Sequence, residues 1–112
     1  MKIYHNPRCR KSRETLQILR EAGIEPEIVE YLTTPPTAPE LRDLVDKLGI
    51  APSQLIRKQE KIYKDNFKGK ELSEEEWLAA MTQYPKLIER PIVVAGDKAV
   101  LGRPPEAVKT LL

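Results

Sequence analysis

The N-terminal residues 1–31 carry two different hydrophobic periodicities in turn, and this order constrains the fold more than any other feature of the chain. A short apolar run at 2–4 precedes a segment at 9–22 whose apolar side chains recur every three residues. Residues 27–31 then alternate as a strand does, after a glycine at 23 that suits the end of a helix. A strand, a helix and a strand in about 30 residues form a βαβ unit with a right-handed crossover. The sequence therefore predicts an α/β fold.

The middle of the chain predicts helices. Two Ser/Thr-x-x-Glu capping boxes, Thr37 with Glu40 and Ser73 with Glu76, each stand before apolar residues at helical spacing. We therefore expect an all-helical insertion at about 37–84.

The C-terminal part predicts a β-hairpin and a last helix. Residues 90–94 are β-branched, 95–98 have turn composition, and 99–101 form a second short apolar run. A terminal helix is expected at 105–112. The order β-α-β, helical insertion, β-β-α is that of a thioredoxin-like fold with a mixed sheet, and we expect a single domain spanning 1–112. In this fold a proline that opens the third strand is recurrently cis, so the Arg90–Pro91 bond is a candidate for that isomer.

Composition limits the function classes. With 112 residues, 32% of them charged, the chain suits one soluble domain, and no apolar run approaches the about 20 residues that span a membrane. A single cysteine excludes an internal disulfide and suits a reducing cytoplasm. The basic stretch at 57–70 contains acids and no nucleic-acid-binding motif, so we expect a solvated surface and no nucleic-acid partner.

Cys9 is the strongest candidate for chemistry. It follows the first strand and opens the first helix, where free N–H groups and the positive end of the helix dipole favour a thiolate. Four cationic neighbours, Arg8, Arg10, Lys11 and Arg13, are expected to act in the same direction. A lone cysteine is commonly a small buried hydrophobe, but these polar neighbours count against that alternative.

The only histidine, His5, allows three interpretations. A Cys–His hydrolase dyad lacks an evident Asn or Asp to orient the ring. A protonated His5 that stabilises the thiolate is the simpler role, and a purely structural histidine is the third. The Ser12 hydroxyl can at most donate a hydrogen bond to the thiolate. One cysteine and one histidine do not predict a metal site, and a cysteine-phosphatase loop would need an arginine at Thr15.

Three arginines stand at the ends of predicted elements: Arg57, Arg90 and Arg103. The planar guanidinium fork suits tetrahedral oxyanions better than lysine does. In the expected fold Arg90 and Arg103 flank the hairpin near the strand that leads to Cys9. Each arginine could instead cap a helix or pair with a surface acid, and spacing alone leaves both interpretations open.

Several motifs occur in one order along nearly the whole chain. They are Tyr4-His5-Asn6-Pro7-Arg8-Cys9, Ser12-Arg13-x-Thr15-Leu16, Tyr31-Leu32-x-Thr34-Pro35-Pro36-Thr37, Leu55-Ile56-Arg57-Lys58, Arg90-Pro91-Ile92-Val93-Val94 and Gly102-Arg103-Pro104. Together they resemble the glutaredoxin-dependent arsenate reductase family.

The resemblance implies a cytoplasmic oxidoreductase that converts arsenate to arsenite. It implies that Cys9 is the nucleophile, that His5 and Ser12 support the thiolate, and that Arg57, Arg90 and Arg103 bind arsenate and arsenite. It implies no bound cofactor, glutathione as co-substrate and glutaredoxin as partner. Arg10 and Lys11 stand where well-studied members have Gly-Thr, which indicates a separate branch.

Two other functions share these features. Spx-type redox regulators, which bind RNA polymerase, have this fold and first motif, but they typically carry a second cysteine where this chain has Ser12. A general glutathione-dependent thiol oxidoreductase is the other alternative. Either way, with one cysteine in the chain, a resolving thiol must come from another molecule.

Overall fold

Four short strands form one mixed sheet in the computed structural model, which describes residues 1–112. The strands are β1 (Lys2–His5), β2 (Glu27–Glu30), β3 (Ile92–Ala95) and β4 (Lys98–Leu101). Their order is β2-β1-β3-β4, with β1 and β2 parallel and the β1–β3 and β3–β4 pairs antiparallel. The predicted α/β class with a mixed sheet is confirmed.

The helix α1 (Arg10–Glu21) connects β1 to β2, as the N-terminal pattern predicted. Its apolar face carries Leu16 and Leu19, which pack with Ile3 and Val93 from the sheet and with Val108. Burying an aliphatic side chain of this size stabilises a fold by roughly 1.5–3 kcal/mol, so this cluster is what fixes α1 against the sheet. The start of α1 is thereby held next to the end of β1.

The C-terminal segment Pro105–Leu111 is a 3₁₀ helix rather than the α-helix that the sequence suggested. Its backbone bonds span three residues, as in Ala107 N–H to Pro104 C=O at 3.0 Å. Tight turns of this kind are common at chain ends, and Val108 still reaches the core of α1 and the sheet.

The hairpin ends lie beside the end of β1. Tyr4 of β1 is the register partner of Ile92, which in turn faces Leu101. The Arg90–Pro91 and Arg103–Pro104 bonds are both cis, and the second of these was not foreseen. Gly102 N–H donates to the Pro91 carbonyl at 2.9 Å, so the segments before β3 and after β4 are joined at this end of the sheet.

Two compact units divide the chain: residues 1–34 with 90–112, and residues 35–89. The second unit consists of α2 (Ala38–Leu48), α3 (Lys61–Asn66), α4 (Glu74–Gln83) and two 3₁₀ turns. Both predicted capping boxes are present, at Thr37/Glu40 and Ser73/Glu76. That the units make the single domain expected from the sequence stays a prediction. None of the helices combines the length and apolar character needed to cross a membrane.

Candidate active site

Cys9 is the N-cap residue of α1. Its backbone N–H donates to the Asn6 carbonyl at 3.0 Å, and its own carbonyl accepts the Arg13 N–H at 3.0 Å. The side chain is partly exposed. The backbone N–H groups of Lys11 and Ser12, in the first turn of α1, hydrogen-bond the sulfur. The position predicted for Cys9 at a helix N-terminus is therefore the one it occupies.

The pKa of Cys9 lies below its ordinary value. Burial acts to raise the pKa of this thiol, but it is outweighed by the Ser12 N–H, by a hydrogen bond and the charge of the Arg90 guanidinium, and by the Lys11 N–H. Each of these groups interacts more favourably with a thiolate than with a thiol. These contacts therefore favour the thiolate, which is the form of cysteine that acts as a nucleophile.

The cation that lowers this pKa is Arg90, not the neighbours in sequence that were expected to do so. Arg10 points outwards, with 85% of its side chain exposed and its Nε 2.9 Å from Glu14. Arg13 donates from Nη1 to the Pro7 carbonyl at 3.0 Å. Successive side chains at the start of a helix diverge, so closeness in sequence does not bring these charges to the sulfur.

The Ser12 hydroxyl hydrogen-bonds His5 and Asn6. Its Oγ lies 2.6 Å from His5 Nδ1 and accepts the Asn6 N–H at 3.1 Å, and the whole Ser12 side chain is buried. Ser12 supports the thiolate through its backbone N–H rather than through the hydroxyl bond that the sequence allowed.

The pKa of His5 lies below its ordinary value, which favours the neutral imidazole over the protonated ring, the simpler of the sequence interpretations. Burial lowers the pKa of His5; nearby Glu30 raises it, while Arg20 and Arg13 lower it further, and the net direction is downward. The ring bonds to Ser12 rather than to Cys9, so the two do not form a Cys–His dyad. His5 therefore bonds the Ser12 hydroxyl, and its support of the Cys9 thiolate stays a prediction.

Of the three predicted arginines, Arg90 contacts Cys9 and Arg103 is bonded to the backbone of Arg90. Arg90 hydrogen-bonds the sulfur, and Arg103 Nη1 donates to the Arg90 carbonyl at 2.9 Å. Both side chains are partly exposed. Cys9, Arg90 and Arg103 all lie within the first unit, and the assignment of Arg90 and Arg103 to oxyanion binding stays a prediction.

Arg57 lies in the second unit, where it pairs with acids. Its Nε is 3.2 Å from Glu60 Oε1 and its Nη1 is 3.9 Å from Glu89 Oε2, and 21% of its side chain is exposed. This pairing matches the second interpretation that spacing left open. The assignment of Arg57 to oxyanion binding stays a prediction.

Sequence reasoning missed Gly102. A Cβ at this residue would lie 2.7 Å from the Pro91 ring and would also collide with the Thr15 side chain, whose hydroxyl donates to the Lys11 carbonyl at 2.8 Å. Only a glycine lets the strand end approach both α1 and the Pro91 loop so closely. The signal was present in the sequence, since this glycine precedes Arg103-Pro104 directly.

Nowhere in the molecule do three or more His, Cys, Asp or Glu side chains lie close enough together to hold a metal ion. An open cleft of about 350 Å³ borders the Cys9 loop between residues 5–8 and Glu30, Leu32 and Thr33. A second cleft, of about 620 Å³, lies between the same loop and Arg13, Gln17 and Arg20 of α1. Both clefts reach His5, and Cys9 lines neither of them.

Comparison with known proteins places this geometry in a family. Residues 4–111 match the ArsC family. The chain is 46% identical to the arsenate reductase of Haemophilus influenzae, over 98% of this chain and 97% of that protein. It is 56% identical to the uncharacterized protein YfgD of Escherichia coli, over 96% and 92% of the two chains. The solved arsenate reductase from Vibrio cholerae superposes with a TM-score of 0.95 at 46% identity, covering 100% of this chain and 98% of that one.

Proposed function

The chain belongs to the ArsC family, and we propose that it is an arsenate reductase that uses glutathione and glutaredoxin. The observation that carries the proposal is a partly exposed cysteine with a lowered pKa that is hydrogen-bonded by Arg90, whose carbonyl accepts a hydrogen bond from Arg103. Relatives that align over almost their whole length with this chain are named arsenate reductases.

Arsenate is a tetrahedral oxyanion, which suits paired guanidiniums. Each guanidinium presents parallel N–H donors that match two oxygens of one anion. Arg90 and Arg103 would hold the arsenic with Cys9 in reach, and would stabilise the negative charge that grows on the oxygens during attack. The family resemblance adds Arg57 as a third proposed ligand.

The first step forms a sulfur–arsenic bond. The Cys9 thiolate attacks arsenic, an arsenic–oxygen bond breaks, and the departing hydroxide is protonated to water. Arsenic is still in the +5 state at this point, because no electrons have been transferred. A lowered thiol pKa serves this step, since only the thiolate attacks.

Reduction needs two electrons, and two further thiols supply them. Glutathione adds to arsenic and displaces a second hydroxide. The glutaredoxin thiolate then attacks the glutathione sulfur, and the electron pair of the arsenic–sulfur bond stays on arsenic, which becomes +3. The two thiols leave as a mixed disulfide, and water releases arsenite and regenerates Cys9.

The source of those thiols must be external. Cys9 is the only cysteine, and a serine occupies position 12, so no internal disulfide can discharge the adduct. Arg8 and Lys11 flank Cys9 as exposed cations. Such a rim favours the approach of an anionic thiol such as glutathione.

The test is arsenite release, measured separately with glutathione plus glutaredoxin and with thioredoxin alone. We expect turnover with the first system, little with the second, and none in Cys9→Ser with either. Equal rates with both systems would contradict the mechanism. Reduction of a glutathionyl mixed disulfide without any arsenite release would favour the general thiol oxidoreductase, and neither activity would favour a binding protein.

A further inference from the structure

Asn6 makes three hydrogen bonds, all within the segment that carries Cys9. Its side-chain Oδ1 accepts the Arg8 N–H at 3.0 Å, its carbonyl accepts the Cys9 N–H at 3.0 Å, and its own N–H donates to Ser12 Oγ at 3.1 Å. The residue is 8% exposed. A buried asparagine whose bonds all serve one short loop is placed to determine the shape of that loop.

The side-chain bond is the part that depends on asparagine. An Asn oxygen that accepts the N–H two residues ahead forms an Asx turn, which replaces a backbone turn. Pro7 stands inside this turn, where its fixed φ fits and its missing N–H is not needed. After this turn the Cys9 N–H points at the Asn6 carbonyl, to which it donates.

The loop from Asn6 to Cys9 is also held by the Ser12 hydroxyl. Ser12 Oγ lies between the Asn6 N–H and the buried His5 ring, so Asn6 joins the His5–Ser12 pair to the Cys9 backbone. With Cys9 held at its N–H by Asn6 and at its carbonyl by Arg13, the N–H groups of Lys11 and Ser12 remain for the sulfur.

We propose that Asn6 is a positioning residue, whose side-chain turn holds Cys9 where the first-turn N–H groups of α1 meet its sulfur. A contribution of Asn6 to catalysis rests on the proposed function, but the effect of Asn6 on the pKa of Cys9 does not depend on it. The hydrogen bonds of Asn6 go to the backbone of Arg8 and Cys9 and to Ser12 Oγ, and not to Arg90, Arg103 or the reacting sulfur.

The experiment measures the thiolate of the free protein, by absorbance near 240 nm and by alkylation rate against pH. We expect Asn6→Ala to raise the pKa of Cys9 by about 1, which is a tenfold change in the thiol–thiolate equilibrium. Asn6→Ser should recover part of the change, because a serine hydroxyl makes the same turn more weakly. Asn66→Ala is the matched control: that side chain donates to the Ile62 carbonyl on α3, and its loss should leave Cys9 unchanged.

Thermal unfolding of the same variants separates positioning from scaffolding. A merely structural Asn6 would lower the melting temperature and leave the pKa of Cys9 in place, and that result would overturn the proposal. If Asn6→Ala does not fold, Asn6→Gln decides: its longer side chain keeps an amide but cannot close the Asx turn, and an unchanged pKa of Cys9 in that variant refutes the role. Because no arsenate is present, the outcome is independent of whether the protein reduces arsenate.

Discussion

Replacing Arg90 by alanine isolates the effect of one guanidinium on the Cys9 thiolate. The substitution removes the side-chain hydrogen bond and the charge that act on the sulfur. It keeps the Arg90 carbonyl, which accepts the Arg103 Nη1 donor at 2.9 Å, so Arg103 retains its anchor. We expect the pKa of Cys9 to rise in this variant, because the loss affects the thiolate and not the thiol.

The magnitude follows from the type of bond. A hydrogen bond from a charged donor contributes about 1.5–3 kcal/mol, and a pKa change of one corresponds to about 1.4 kcal/mol. Arg90 is partly exposed, so solvent screening favours the lower end of that range. We therefore expect the pKa of Cys9 to rise by about 1, which moves the alkylation-rate profile to higher pH by the same amount.

Arg10→Ala is the control, measured by the same alkylation-rate profile against pH. Arg10 is next to Cys9 in sequence, but 85% of its side chain is exposed and it pairs with Glu14. Its removal should leave the profile unchanged, whereas Arg90→Lys should give an intermediate curve because the charge is kept and the fork is lost. A profile that moves equally in Arg10→Ala and Arg90→Ala would refute the assignment of the lowered pKa to Arg90.

Three further predictions concern the other site residues. Steady-state kinetics should show that Arg103→Ala and Arg57→Ala each lower kcat/KM for arsenate by roughly 30- to 1000-fold, which corresponds to about 2–4 kcal/mol of transition-state stabilisation. An unchanged kcat/KM in a variant would mean that its arginine does not belong to the oxyanion site. Ser12→Ala should leave the Cys9 pKa in place, because the Ser12 N–H is kept. It should lower the free energy of unfolding by about 1–3 kcal/mol, since the Asn6 N–H loses its buried acceptor. A raised thiol pKa would mean that the hydroxyl acts on the sulfur, either directly or through its bond to Asn6. The pKa of His5 is lower in the folded than in the unfolded chain, so the unfolded chain binds the proton first as the pH falls, and the free energy of unfolding decreases below about pH 6.5. In urea unfolding across this pH range, His5→Gln should lose less of this free energy than the natural protein does. Equal losses in the two proteins would argue that the His5 ring is not buried in its neutral form.

Local sequence patterns were sufficient to predict the helices and strands and the place of Cys9. The strand, helix and strand at the N-terminus, the capping boxes at Thr37 and Ser73, and the hairpin after Pro91 follow from side-chain period and cap chemistry. These signals act over a few residues, so they can be read without the fold. For the same reason Cys9 could be predicted at a helix start, because a strand pattern ends and a helix pattern begins there.

The electrostatics of the site depended on tertiary structure. The sequence suggested that Arg10 and its neighbours activate Cys9, yet the effective cation is Arg90, which sheet pairing brings from a distant segment. His5 becomes neutral because it is buried, and burial is a property of the whole packed unit. Gly102 is required only because a strand end, α1 and the Pro91 ring converge on it. Charge and burial act through space, so their effect on a residue is decided by which segments the fold brings together.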